Sequence, residues 1–159
     1  MERITLGTLL LGIYLVLRAL DSLFTISSGL FTLAEDGVGI AAALVLLQSE
    51  ANPRAGNWGL FLAAVWVLVT AVFSLLAHYA AFHTNALIWL LPILALAAGI
   101  LLLTTGPALQ RQRTGTRLLA AWFIVIALVE FFTFLRFYGM GTGMALLAGV
   151  AGVFLILRK

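Results

Sequence analysis

The 159-residue chain contains no cysteine. That absence excludes a disulfide framework, a thiolate metal centre, a catalytic thiol and a lipid-anchor cysteine. Charge is nearly as scarce. Asp, Glu, Lys and Arg make up 9% of residues, against about 25% in an ordinary globular domain. So few charges do not clothe a water-facing surface, and no polar stretch is long enough to build a separate soluble domain. Basic residues number nine and are scattered along the chain, which leaves no nucleic-acid footprint despite a formal net charge of +3.

What fills the chain instead is apolar sequence: 64% of residues are hydrophobic, and mean hydropathy is +1.16. The composition predicts an all-α integral membrane protein whose single polytopic domain runs over 1–159. Apolar segments fall at about 4–33, 35–51, 58–81, 86–104, 116–138 and 142–157, compared with the roughly 17–25 helical residues that cross a bilayer. The first is too long for one straight crossing, and Ser27-Ser28-Gly29 is the natural place for a break, so a five-span or re-entrant reading of the first 50 residues stays open. Asn52-Pro53 and Gly106-Pro107 stop the second and fourth segments, and Gly139–Gly143 reads as a tight turn before the last. Pro92 lies inside the fourth, where a membrane helix tolerates a kink. Glu35 and Asp36 are expected in the first turn of the second helix, complementing its dipole at an acidic outer mouth.

The basic residues set the orientation. With a cytoplasmic N-terminus, Arg3, Arg54, Arg111, Arg113, Arg117, Arg158 and Lys159 share the inner side, and the outer loops hold neither Lys nor Arg. This bias requires an even number of crossings. It predicts six transmembrane helices, paired as three hairpins, with N- and C-termini cytoplasmic in an inner or plasma membrane. Arg18 and Asp21 interrupt the first apolar run and no small-x-small site follows, so an uncleaved first helix is expected.

Two basic residues remain inside spans, Arg18 and Arg136. In the first segment Tyr14, Arg18, Asp21, Thr25, Ser28 and Thr32 recur every three or four residues, which is one helix face. Thr70, Ser74 and His78 recur every fourth residue in the third, and Glu130 precedes Arg136 in the fifth. At about 1.5 Å per residue, Arg18, Ser74 and Glu130 reach comparable depths of roughly 20–24 Å. The expectation is Arg18 opposite Glu130 and Asp21 opposite Arg136, with His78 nearby, in the outer half. The plainer reading makes these structural salt bridges, or pairs Arg18 with Asp21 along the helix while Arg136 snorkels to the headgroups.

Charges inside a bilayer are costly and tend to mark function. The candidate ligand- or ion-binding residues are therefore Arg18, Asp21, Ser74, His78, Glu130 and Arg136. His78 and His83 are five apart, on different faces, so no metal site is expected. No catalytic constellation stands out and no cofactor motif is present, so an enzyme is the least favoured reading. Small residues at Ala95 and Gly99, and at Ala145, Ala148, Gly149 and Gly152, predict close helix contacts within the bundle or between protomers. Trp58, Tyr79, Trp89 and Tyr138 suit an aromatic belt, and Trp66 and Trp122 suit packing. Two functions fit. One is a small protein binding or transporting an ion, proton or small polar ligand, with the bilayer and further copies of itself as partners. The other is a non-catalytic accessory subunit of a larger membrane complex.

Overall fold

The computed structural model describes residues 6–26, 28–49, 51, 56–80, 87–104, 113–131 and 140–157. Its regular elements, among the described residues, are six helices: α1 (Leu6–Phe24), α2 (Gly29–Ser49), α3 (Trp58–Ala80), α4 (Leu87–Thr104), α5 (Arg113–Phe131) and α6 (Met140–Leu157). Four stretches, Leu6–Phe24, Gly29–Ser49, Trp58–Ala80 and Thr114–Phe131, are long and apolar enough to cross a membrane. Shorter apolar helical stretches run over Trp89–Thr104 and Thr142–Leu157.

Each helix packs against its neighbours in the chain, and α6 returns to pack against α1. The six helices thus close into a ring. The closing contact depends on two glycines. A Cβ on Gly152 would lie 2.6 Å from the carbonyl oxygen of Gly12, and one on Gly12 would lie 2.9 Å from that of Gly152. Gly99 meets α5 in the same way, with a Cβ falling 3.0 Å from the Ala120 carbonyl oxygen. The small residues of α4 and α6 therefore serve contacts within the bundle.

Aromatic side chains join α3 to α5. Trp66 meets Trp122 at 5.5 Å and Phe123 at 5.3 Å, both edge-to-face. Its indole N–H donates to the Leu91 carbonyl of α4 at 3.1 Å, beside Pro92. Pro92 remains inside α4. A buried tryptophan is stable here because its one polar atom has found an acceptor.

The first expected segment, 4–33, is in fact divided. α1 ends at Phe24, and Thr25 takes a left-handed φ of 49° while its N–H bonds the Asp21 carbonyl at 2.8 Å. Ser28 then opens α2, its carbonyl accepting from the N–H groups of Phe31 at 2.9 Å and Thr32 at 3.1 Å. The break adjoins Ser28-Gly29, the place expected for it; only the drawn bounds differ, because residues 29–33 are largely apolar and read as more of the first helix. The start of the second helix moves from the expected 35 back to Gly29, and Glu35 and Asp36 move from its first turn to its second.

That shift also shortens the polar face expected on the first helix, which runs no further than Asp21; Ser28 and Thr32 belong to the start of α2. The segment read as an outer turn is already helical from Met140. Thr133, Arg136, Tyr138, Gly139 and His83 lie outside the described residues, as does the last part of the expected span 116–138.

Candidate functional site: a polar cluster on three helices

α1 and α3 both flank α2. Where α1 ends, α2 begins and α3 ends, polar side chains of all three helices come together. From α1 come Tyr14 and Arg18, one turn apart on a face, with Asp21 a turn beyond. From α2 come Glu35 and Asp36. From α3 come Ser74 and His78, again one turn apart.

The anchor of the cluster is an ion pair. Arg18 Nη1 donates to Glu35 Oε1 at 2.9 Å. Glu35 is 3% exposed, whereas Arg18 keeps 35% of its side chain accessible. A guanidinium carries five N–H donors, so one bond to Glu35 leaves capacity for another acceptor.

Asp36 has no such partner. It is 1% exposed, and neither carboxylate oxygen has a hydrogen-bond partner among the described residues. The Ser74 hydroxyl lies beside it without closing a hydrogen bond. Arg18, Asp21 and His78 lie within electrostatic range. The Tyr14 hydroxyl, fully buried and likewise without a partner, lies within electrostatic range of Arg18, Glu35 and Asp36. Thr70, one turn before Ser74 on α3, is a third side chain with an unsatisfied buried oxygen. Buried polar groups are nearly always satisfied, so three such side chains on adjoining helices call for an occupant or a chemical role.

One turn along α2 from Asp36, Gly39 lies against the Tyr14 ring. A Cβ there would fall 2.9 Å from two ring carbons and 3.3 Å from Ala71 Cβ. Gly39 therefore lets α2 approach α1 and α3 closely enough to bury Asp36. At the nearby helix ends, the Tyr79 hydroxyl donates to the Gly29 carbonyl at 3.1 Å, and the exposed His78 ring packs edge-on to Tyr79 at 4.7 Å.

The candidate residues are thus partly reunited. Arg18, Asp21, Ser74 and His78 converge as the helix faces predicted. Glu35 and Asp36, expected at a solvated mouth, are buried members of the cluster. The ion pair formed by Arg18 is with Glu35 on the adjoining helix, in place of Glu130 on α5. Glu130 sits half-buried in the last turn of α5, away from α2. Arg136, and with it the pairing expected with Asp21, lies outside the described residues. Tyr14 and Thr70 stood on the polar faces without being assigned to the site; their signal was the four-residue spacing to Arg18 and Ser74.

Across α1 from the cluster, an apolar groove of about 380 Å³ runs between α1 and α6, lined by residues that include Val16, Leu20, Leu23, Leu146, Val150 and Phe154. These α1 positions lie on the side of the helix opposite Arg18. The groove and the cluster are separate features.

The fold and cluster together define a helical bundle of membrane type with a buried polar centre on α1, α2 and α3. No protein-family model matches the chain, and neither does any curated protein or solved structure.

Proposed function

We propose that this is a six-span protein of the plasma membrane, with both termini cytoplasmic, that binds and carries a small, positively charged species through the α1–α2–α3 cluster. The one-sided distribution of the basic residues supports a cluster in the outer half of the membrane. Arg18 lies six residues from the end of α1 and Asp36 seven from the start of α2, about 10 Å from the helix ends at 1.5 Å per residue. That distance is short enough for exchange with outside water and deep enough to remove the site from bulk solvent.

The observation that carries this reading is Asp36, a buried carboxylate without a hydrogen-bond partner. One guanidinium faces three carboxylates (Asp21, Glu35 and Asp36), so the cluster carries a formal excess of two negative charges with His78 neutral. An ionised carboxylate isolated from water is neutralised by whatever positive species reaches it. An anionic ligand would meet the wrong sign.

The accessory-subunit reading draws on the exposed apolar side chains of α4 and α6, such as Trp89, Ile93, Leu103, Leu146 and Phe154. Lipid covers such faces equally well, whereas nothing in subunit assembly calls for a buried, unpartnered aspartate. The purified protein, reconstituted in liposomes, tests the choice by separate assays of H⁺, Na⁺ and K⁺ flux. Flux of at least one ion, lost in Asp36→Asn with elution and helicity unchanged, is the expected result. A protein that carries none of them and co-purifies stoichiometrically with other membrane proteins is the accessory subunit.

A further inference from the structure

Resting on that reading, we propose that the species held at Asp36 is a proton, and that Arg18 competes with it for the same carboxylate. In the proton-bound state Asp36 is a neutral acid and Arg18 is committed to Glu35, as the 2.9 Å Arg18–Glu35 pair and the unpartnered Asp36 oxygens allow. On release the Asp36 O–H bond breaks and its electron pair stays on the carboxylate. The proton passes to water at the outer ends of α1–α3. Arg18 then turns an unused N–H toward the new charge while keeping Glu35, so one guanidinium spans two neighbouring carboxylates of α2.

Three observations favour a proton over a metal cation. Asp36 supplies a single carboxylate, and the guanidinium already in range repels a second fixed cation. Space is also short. One turn along α2, a single added carbon on Gly39 would fall 2.9 Å from the Tyr14 ring and 3.3 Å from Ala71, and a proton needs no cavity. Finally, the unpartnered hydroxyls of Tyr14 and Thr70 both donate and accept, as groups along a proton path must.

The charged and titratable groups facing Asp36 from its neighbours are Tyr14, Arg18 and Asp21 on α1, Glu35 on α2 itself, and His78 on α3. Their balance decides when the proton leaves. His78, exposed and two residues from the end of α3, is placed to pass the proton to water.

Infrared difference spectra of the protein in lipid nanodiscs, acid minus alkaline, test this directly. The native protein is expected to show a protonated-carboxyl band that disappears as pH rises and shifts on exchange into D₂O. The band is lost in Asp36→Asn and kept in Glu35→Gln. In Arg18→Gln it survives into buffers that abolish it in the native protein. Absence of the band from the native protein at every pH overturns the proposal, a result that does not depend on any variant folding. So does a band unchanged in Asp36→Asn, or one removed by Na⁺ or K⁺ at constant pH. The two readings fail separately. A titrating Asp36 in liposomes that carry nothing leaves the proton site and removes the transport function. Asp36-dependent flux without the band leaves transport and removes the proton.

Discussion

Arg18 on α1 and Glu35 on α2 meet at 2.9 Å across a helix interface in which the carboxylate is 3% exposed. Removing either partner strands the other. Glu35→Ala leaves a guanidinium facing Tyr14 without its carboxylate, and Arg18→Ala leaves a buried, unpaired carboxylate. Because Arg18 keeps about a third of its side chain accessible, each single change is expected to cost about 1–3 kcal/mol, below the value for a fully buried pair. Arg18→Leu with Glu35→Leu should cost less than the sum of the two single changes to leucine. Denaturant titration followed by tryptophan fluorescence reads the coupling. Strictly additive costs would mean that the pair contributes nothing.

The α1–α6 seam closes the ring, and its tolerance differs sharply along one helix. Gly152→Val puts a side chain where a Cβ already falls 2.6 Å from the Gly12 carbonyl, and should destabilise by about 1–3 kcal/mol as overpacking does. Gly143→Ala meets nothing within 4 Å, and should be neutral or stabilise by up to about 1 kcal/mol through helix propensity. Thermal melts of the two variants in the same detergent check the contrast. Equal melting temperatures would contradict the closed ring.

Tyr79→Phe removes the hydroxyl that ties the end of α3 to the Gly29 carbonyl at 3.1 Å. The bond is exposed, so the loss should be small, about 0.5–1 kcal/mol, and local. Hydrogen exchange is expected to quicken at the amides of the first turns of α2 and to stay unchanged in α5 and α6. A uniform change across the bundle would show that the contact acts globally.

How much of this was legible in the sequence follows from what each residue announces. Thr70, Ser74 and His78 share a face by spacing alone, and so do Tyr14 and Arg18; a helical period does not depend on the neighbours. The buried packing of Trp66 and Trp122 was equally readable, since each lies far from a helix end. The break beside Ser28-Gly29 was readable from its Ser-Ser-Gly run, but the apolar residues after Gly29 continue the pattern and hid where the second helix starts. Starting that helix six residues late, at 35, put Glu35 and Asp36 at a solvated mouth and left Arg18 looking across the bundle for Glu130. Which helices adjoin is a tertiary fact. Depth arithmetic ranked Glu130 as a partner because it gave height in the membrane but not position around the ring. Gly39 shows the limit most clearly: its value lies in the Tyr14 ring resting on it, a contact with no local signature.

On the proposed function, Asp36 is retained for activity at a cost to stability. A buried carboxylate without a hydrogen-bond partner destabilises the fold, so its neutral isostere should relieve that cost while ending the activity. The decisive measurement is Asp36→Asn, assayed side by side for thermal stability in nanodiscs and for proton flux in liposomes. The expected result is a melting temperature equal to or above that of the native protein, together with flux reduced to the level of empty liposomes. Undiminished flux in a folded Asp36→Asn protein would contradict it.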